Sequence, residues 1–392
     1  MKNFLIIIIF SILFLFIDSL YLDTQLVKEK DDEIRFIYIS YLEYLNNFKG
    51  NSVSINKSKI DKMIDNISIN KFNAIFLQVS PFSDAIYNSN IFPYSYTLTG
   101  IEGKNPGFDY LEYFIKKAHS KKINVHAWIN PYRVSSKNDV SLLDKSNPAI
   151  KFINTENIGI SEKGIYYDPS SQDVKKLIKN QALELIKKYN IDGIHFDDYF
   201  YVDYNIDKKE YDEYISSGNN VTLSEFRLMH TNDLIEQIND LIKKTNKKII
   251  FSISPDGNIN NNYNYHYADI RKWIEDEMID IIMPQLYYGF DNQYLPFEKA
   301  YDNWYQIIIE KDSNVKMIPV LAFYKVGFLD NNAGSGKEEW LKNGIIEKQI
   351  KFLMNKDGYM GYGLFRYDFL FNDDVSNFIG TKELSNIRNL CK

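Results

Sequence analysis

Two adjacent carboxylates, Asp197 and Asp198, close a short apolar run in IDGIHFDDYFY, residues 191–201. Ionised side chains are costly to bury and ordinarily sit at a solvated rim. Here they lie between Phe196 and the aromatic run Tyr199-Phe200-Tyr201. That combination suits cleavage of a glycosidic bond. One carboxyl group keeps its proton and donates it to the leaving oxygen. A second is ionised and serves as nucleophile or as base toward water. Apolar surroundings raise the pKa of the donor, and aromatic faces stack on sugar rings. Side chains alternate across a strand, so Asp197 shares the face of His195 and is the expected charged partner. Asp198 is expected on the other face, orienting a loop or holding a substrate hydroxyl. Asp256, in the stretch Ser254-Pro255-Asp256-Gly257, is the expected proton donor.

Such residues need a scaffold. Eight short apolar runs recur along the chain, at 35–40, 74–78, 124–128, 193–196, 249–254, 280–286, 316–321 and 361–365. They are near-continuous in apolar character, as parallel strands buried on both faces are. Helical patterns lie between them. In 174–189, for example, apolar residues fall at 174, 177, 178, 182, 185 and 186, one face of a helix. Thr222 and Glu225 have the spacing of a capping box. Eightfold strand–helix alternation predicts an α/β fold, a single (β/α)₈ TIM barrel with long loops after strands 3 and 4.

In such barrels the site forms at the carboxyl ends of the strands. Those ends carry Tyr41-Leu42-Glu43, Ser83-Asp84, Asn130-Pro131-Tyr132-Arg133, Asp197-Asp198, Asp256, Tyr287-Tyr288, Tyr324-Lys325 and Arg366-Tyr367-Asp368. Polar groups also interrupt the runs themselves, at Gln78, His126 and Gln285. His126, Trp128 and Asn130 share one face, as do Gln285 and Tyr287. Gln78, Asp84, His126, Trp128, Asn130, Arg133, His195, Tyr199, Gln285 and Tyr287 are therefore the expected substrate-binding set.

Composition narrows the rest. The 392-residue chain carries a net charge of −6, which argues against a nucleic-acid partner. Aromatics make up 15% of it, with 30 Tyr and 26 Phe, in keeping with a glycan as the partner. Its one cysteine, Cys391, allows neither an internal disulfide nor a cysteine metal site. His195, Asp197 and Asp198 form only a weak metal pattern, no HExxH occurs, and Gly334-Ser335-Gly336-Lys337 lacks the phosphate-loop spacing. No metal or cofactor is expected. The apolar run from Phe4 to Ile17 reads as a signal peptide or membrane anchor. No cysteine follows it, which excludes a lipoprotein anchor. The expected plan is a signal or anchor over 1–22, a linker over 23–32 and a catalytic barrel over 33–392, secreted or at the cell surface, with possible membrane attachment through the apolar segment.

The chain resembles the glycosyl hydrolase-like 10 family over residues 33–374. The resemblance is carried by EIRFIYISYLE (33–43), FNAIFLQVSPFSDAIY (72–87), LTGIEGKNPGFDYLEYFIKKAH (98–119), VHAWINPYRV (125–134), YYDPSSQDV (166–174), DGIHFDDYFY (192–201), FSISPDGNI (251–259) and DIIMPQLYYGF (280–290). It implies a barrel acting on glycans, with some members linked to peptidoglycan strands. Asp84, His126, Asn130, Arg133, Asp168, Asp197, Asp198, Tyr199 and Gln285 match its motif positions, which adds Asp168 to the binding set. Ser80 stands where the family usually has Arg, and Tyr94 where Trp is common. The expected activity is hydrolysis of a polysaccharide or cell-wall glycan. The alternatives are a non-catalytic glycan-binding barrel on the cell surface and a transglycosylase.

Overall fold

The computed structural model describes residues 33–198, 200–201 and 206–391. The apolar N-terminal run, the linker after it and Tyr199 lie outside the described residues. Among those described, no helix is long and apolar enough to cross a membrane.

The apolar runs form strands in the places expected. These are β1 (Ile34–Ile39), β2 (Ala74–Ser80), β3 (Asn124–Ile129), β7 (Gly193–Phe196), β8 (Ile250–Ile253), β9 (Ile281–Ile282), β10 (Lys316–Met317), β11 (Val320–Leu321) and β12 (Gly361–Leu364). They make one parallel sheet in the order β10-β9-β8-β7-β3-β2-β1-β12-β11. β10 and β11 stand at opposite ends of that order, yet only Ile318 and Pro319 separate them in the chain. The sheet is therefore curled, and one run supplies both of its margins.

The sixth and seventh runs are shorter as strands than their apolar stretches. Each contains a proline, Pro284 or Pro319, which has no N–H for the ladder. Their carbonyls still accept: Val320 N–H donates to Pro284 O at 2.9 Å and Gly363 N–H to Pro319 O at 2.9 Å. The connection after β3 is not a plain loop either. It folds into β4 (Arg133–Ser135), β5 (Ile158–Ser161) and β6 (Gly164–Tyr167), a small antiparallel sheet in the order β4-β6-β5. The connection after β7 carries the helix Lys208–Ser216.

Alternation along each strand divides two interiors. Ile37, Ile75, Leu77, Val125, Ile194 and Phe196 pack outward into one core with helix residues such as Ile64, Phe114, Ile178 and Leu234. The opposite parity gathers rings inside the curl. Phe36 and Phe76 are 4.5 Å apart, Phe76 stacks on His126 at 4.4 Å, and Phe76 meets His195 edge-on at 4.6 Å. The helices start where the sequence caps them. Thr222 and Glu225 complete the capping box of Leu223–Thr245, and Ser171 caps Gln172–Lys188.

Gly193 matters to this interior. A Cβ there would lie 2.1 Å from His126 Nδ1, and the His126 ring is already fixed against Phe76. Gly193→Ala is expected to cost about 1–3 kcal/mol through overpacking. Urea unfolding measures it; an unchanged midpoint would show that the ring moves aside freely.

The loop after β7 is tied down by a buried ion pair. Asp207 accepts from Arg227 Nε and Nη2, both at 2.7 Å. Arg227 Nη1 donates to Tyr267 OH at 2.9 Å, and its guanidinium lies 4.9 Å from the Tyr267 ring and 5.4 Å from that of Tyr201. The returning end of the loop is thereby fixed to the helix Leu223–Thr245.

Candidate active site

A cleft of about 280 Å³ opens at the carboxyl ends of the parallel strands. Its floor continues the inner parity of the sheet: Tyr38 and Ser40 from β1 and its end, Gln78 from β2, Trp128 and Asn130 from β3, and Ser254 after β8. Asp197 and Asp198 enter from the end of β7, and Arg133 from β4. Gln285, Tyr287, Tyr324 and Phe365 complete the opposite wall. The wall rings form a connected group: Tyr38–Phe365 5.6 Å, Tyr287–Phe365 5.9 Å and Tyr287–Tyr324 5.6 Å between centroids.

Hydrogen bonds fix the polar floor. Gln78 Oε1 accepts from Tyr41 N–H at 2.9 Å, and Gln78 Nε2 donates to Asn130 Oδ1 at 3.0 Å. An amide in an apolar strand is thus spent on aligning its neighbours. Trp128 Nε1–H donates to Asp197 Oδ2 at 3.2 Å, which orients the carboxylate and presents the indole beside it. Below the floor sits His195. Its Nε2 is 3.1 Å from Tyr38 OH and 3.0 Å from Ser254 Oγ, and its Nδ1 is 2.8 Å from Ser252 Oγ. Burial holds the imidazole well below its ordinary pKa, so it is neutral and works as a bracket for two cleft hydroxyls.

The two aspartates are not on opposite faces. β7 ends at Phe196, and the chain bends at Asp198. Alternation holds only within a strand, so both carboxyl groups reach the same cleft. Burial pushes the Asp198 carboxyl above the usual carboxylate range. The His266 charge opposes this, the Asp256 charge adds to it, and a hydrogen bond with Gln285 lowers it again. A raised carboxyl pKa is the direction that a proton donor requires.

Asp256 has the contrary environment. Burial raises its pKa, but His266, the Asn258 N–H and Asn261 outweigh burial and hold it below the ordinary value. Asn258 N–H donates at 2.7 Å, Asn261 Nδ2 at 3.1 Å, and His266 Nε2 stands 3.8 Å from Oδ2. Asp256 does not line the cleft among its described residues. It is an ionised neighbour of Asp198, a different environment from that of the proton donor expected at this position.

Other expected site residues spread out. Gln78, Trp128, Asn130, Arg133, Gln285 and Tyr287 line the cleft with the two aspartates. His126 is buried in the sheet interior, its pKa lowered to about 4 by burial. Asp168 is buried in a turn, where it accepts from Ser170 N–H at 2.8 Å and Ser170 Oγ–H at 2.7 Å. Asp84 lines a neighbouring cavity, its pKa raised to about 7 by burial. Tyr41 and Tyr324 stood at strand ends without an assigned role. Tyr38, Ser40, Ser254 and Phe365 were not singled out. Their signal is the inner parity: Tyr38 and Ser40 alternate with Ile37 and Ile39, and Ser252 and Ser254 with Phe251 and Ile253. Among the described residues no group of three or more His, Cys, Asp or Glu side chains is placed to hold a metal ion.

With this geometry in place, comparison with known proteins becomes specific. The family model for glycosyl hydrolase-like 10 matches residues 33–336. The chain belongs to the glycosyl hydrolase-like 10 family. Among curated relatives, glycosyl hydrolase DigH of Escherichia coli K12 is 30% identical over 80% of this chain and 76% of its own length. Glycosyl hydrolase YngK of Bacillus subtilis is 29% identical over 83% of this chain and 67% of its own. The fold is shared with the glycoside hydrolase domain of PgaB from Bordetella bronchiseptica, at a TM-score of 0.60 and 12% identity over 92% of this chain and 99% of that one. The catalytic domain of β-amylase from Paenibacillus polymyxa follows at a TM-score of 0.55 and 11% identity, covering 92% and 97%. The glycosyl hydrolase-like 10 match contains β1 to β11 and both cleft aspartates, while Phe365 on β12's end lies beyond it.

Proposed function

We propose that this protein is a glycoside hydrolase that cleaves a cell-wall type of glycan in the cleft at the strand ends. One observation carries the reading: Asp197 and Asp198 open on a single cleft, and burial favours the protonated form of Asp198. Asp198 gives its proton to the glycosidic oxygen as the bond breaks. Asp197, held by the Trp128 N–H, faces the positive charge that develops on the sugar ring, as nucleophile or as base toward water. Tyr287, Tyr324, Phe365 and Trp128 offer apolar faces to the sugar. Gln78 and Asn130 present their remaining amide groups to hydroxyls. A glycan-binding barrel without catalysis needs no second carboxyl group in its pocket, so the pair supports the enzyme. The reading takes the curled sheet as a closed (β/α)₈ barrel with its active mouth at the carboxyl ends of the strands. The apolar N-terminal run supports a secreted or surface-held enzyme.

Asp197→Asn is expected to abolish turnover of peptidoglycan glycan strands and leave the far-UV circular dichroism and melting curve unchanged. Wild-type rates in that variant sink the assignment. Tight glycan binding by the wild-type protein with no product released would instead favour the binding barrel.

A further inference from the structure

A second cavity of about 430 Å³ lies beside the cleft. Phe82 and Tyr96 line this second space, whereas Tyr41 and Arg133 line the cleft. The four side chains form one connected group. Tyr41 and Phe82 are 5.3 Å apart, Phe82 and Tyr96 5.7 Å, and the Arg133 guanidinium lies 4.8 Å over Phe82 and 5.9 Å from the Tyr41 ring. The cavity wall includes Ile101 and Leu142, which are 60% and 52% exposed. Large aliphatic side chains left this open around a concavity mark a surface that is covered in use. On the far side of the cleft the rings continue outward. Tyr324 and Phe369 are 6.2 Å apart, Phe369 and Phe328 6.2 Å, and Phe328 is 46% exposed.

We infer that the second cavity is a further sugar subsite of the same glycan chain, which runs from it across the cleft and leaves over Phe328. The inference rests on reading the cleft as the glycan-cleaving site. It makes the substrate a polymer cut internally rather than trimmed from an end. Charge selects which unit sits there: Asp84, Glu102 and Asp144 line the cavity with the ammonium of Lys137. At this one subsite a neutral unit of the strand, such as N-acetylglucosamine, fits, and the carboxylate-bearing units fall at other positions.

The test is calorimetric titration of the whole chain carrying Asp197→Asn with β-1,4-linked N-acetylglucosamine oligomers. A hexasaccharide is expected to bind at least ~10-fold more tightly than a disaccharide, the scale of a buried aromatic contact. Tyr96→Ala and Leu142→Asp, each added to that background, should remove the advantage and leave the disaccharide affinity as it was. Equal affinity for both lengths, an advantage that survives both substitutions, or no binding of either oligomer overturns the inference. Tyr96-dependent hexasaccharide binding with no turnover by the wild type leaves the subsite standing and removes the hydrolase reading. Wild-type turnover without any effect of Tyr96 or Leu142 does the reverse.

Discussion

Asp198→Asn is expected to lower kcat by about 10²–10⁴-fold, the usual contribution of a positioned acid. The effect has a pH signature. Burial raises the pKa of Asp198, and the active form is the protonated one. Activity therefore falls as pH rises through that raised pKa, which sets the alkaline limb. His266 and Asp256 act on this carboxyl in opposite senses. Burial lowers the His266 pKa, but the hydrogen bond and charge of Asp256 oppose it, and the His266 pKa is raised above the ordinary histidine value. His266→Gln deletes the opposing positive charge. The Asp198 pKa then climbs, and the alkaline limb of kcat/KM moves to higher pH. The profile of the two variants checks both halves. Undiminished kcat in Asp198→Asn, or an alkaline limb unmoved by His266→Gln, would remove Asp198 from the role.

Arg227→Ala is expected to destabilise the protein by about 3–5 kcal/mol, the cost of leaving a buried charge without its partner. Asp207 and Arg227 are almost wholly inaccessible, and their pairing is bidentate. Removing the guanidinium strands the carboxylate and takes away the cation packed against the Tyr201 and Tyr267 rings. Replacing both partners at once, Arg227→Met with Asp207→Leu, should recover much of the loss, because an apolar pair has no desolvation to offset. The exposed pair Lys208–Asp212, at 2.7 Å, is the control. Breaking it should change stability by under about 0.5 kcal/mol. Denaturant midpoints at pH 7 distinguish these cases; a loss below about 1 kcal/mol for Arg227→Ala would mean that water reaches Asp207.

The runs that became β1, β2, β3, β7, β8 and β12 were legible because a strand covered on both faces is apolar at every position. β9, β10 and β11 were legible only as runs, since Pro284 and Pro319 shorten the ladder without changing hydropathy. The sheet of β4, β5 and β6 went unread, although Ile158–Ser161 and Gly164–Tyr167 flank the turn residues Glu162 and Lys163. Short strands inside a long connection have too few positions for a period to show. At the site, parity puts Gln78, Trp128, Asn130 and Asp197 on the face that lines the cleft, and it does not extend to Asp198, which lies beyond the end of its strand and lines the cleft as well. Asp256 could not be judged from its position, because the groups that hold it ionised, His266 and Asn261, come from the segment after it. Asp168 matched a family motif, and in the structure its carboxylate accepts from Ser170 two residues on, in a local turn.

β1 leaves the ribosome long before β12, and the two are neighbours in the sheet. Until residues 361–364 exist, β1 presents an open margin of N–H and C=O groups. Phe365, a wall of the cleft, follows directly after. A nascent chain that already carries both aspartates thus lacks one wall of the cleft they share. On the proposed reading, a product terminated before residue 361 is expected to be inactive, however intact its motifs.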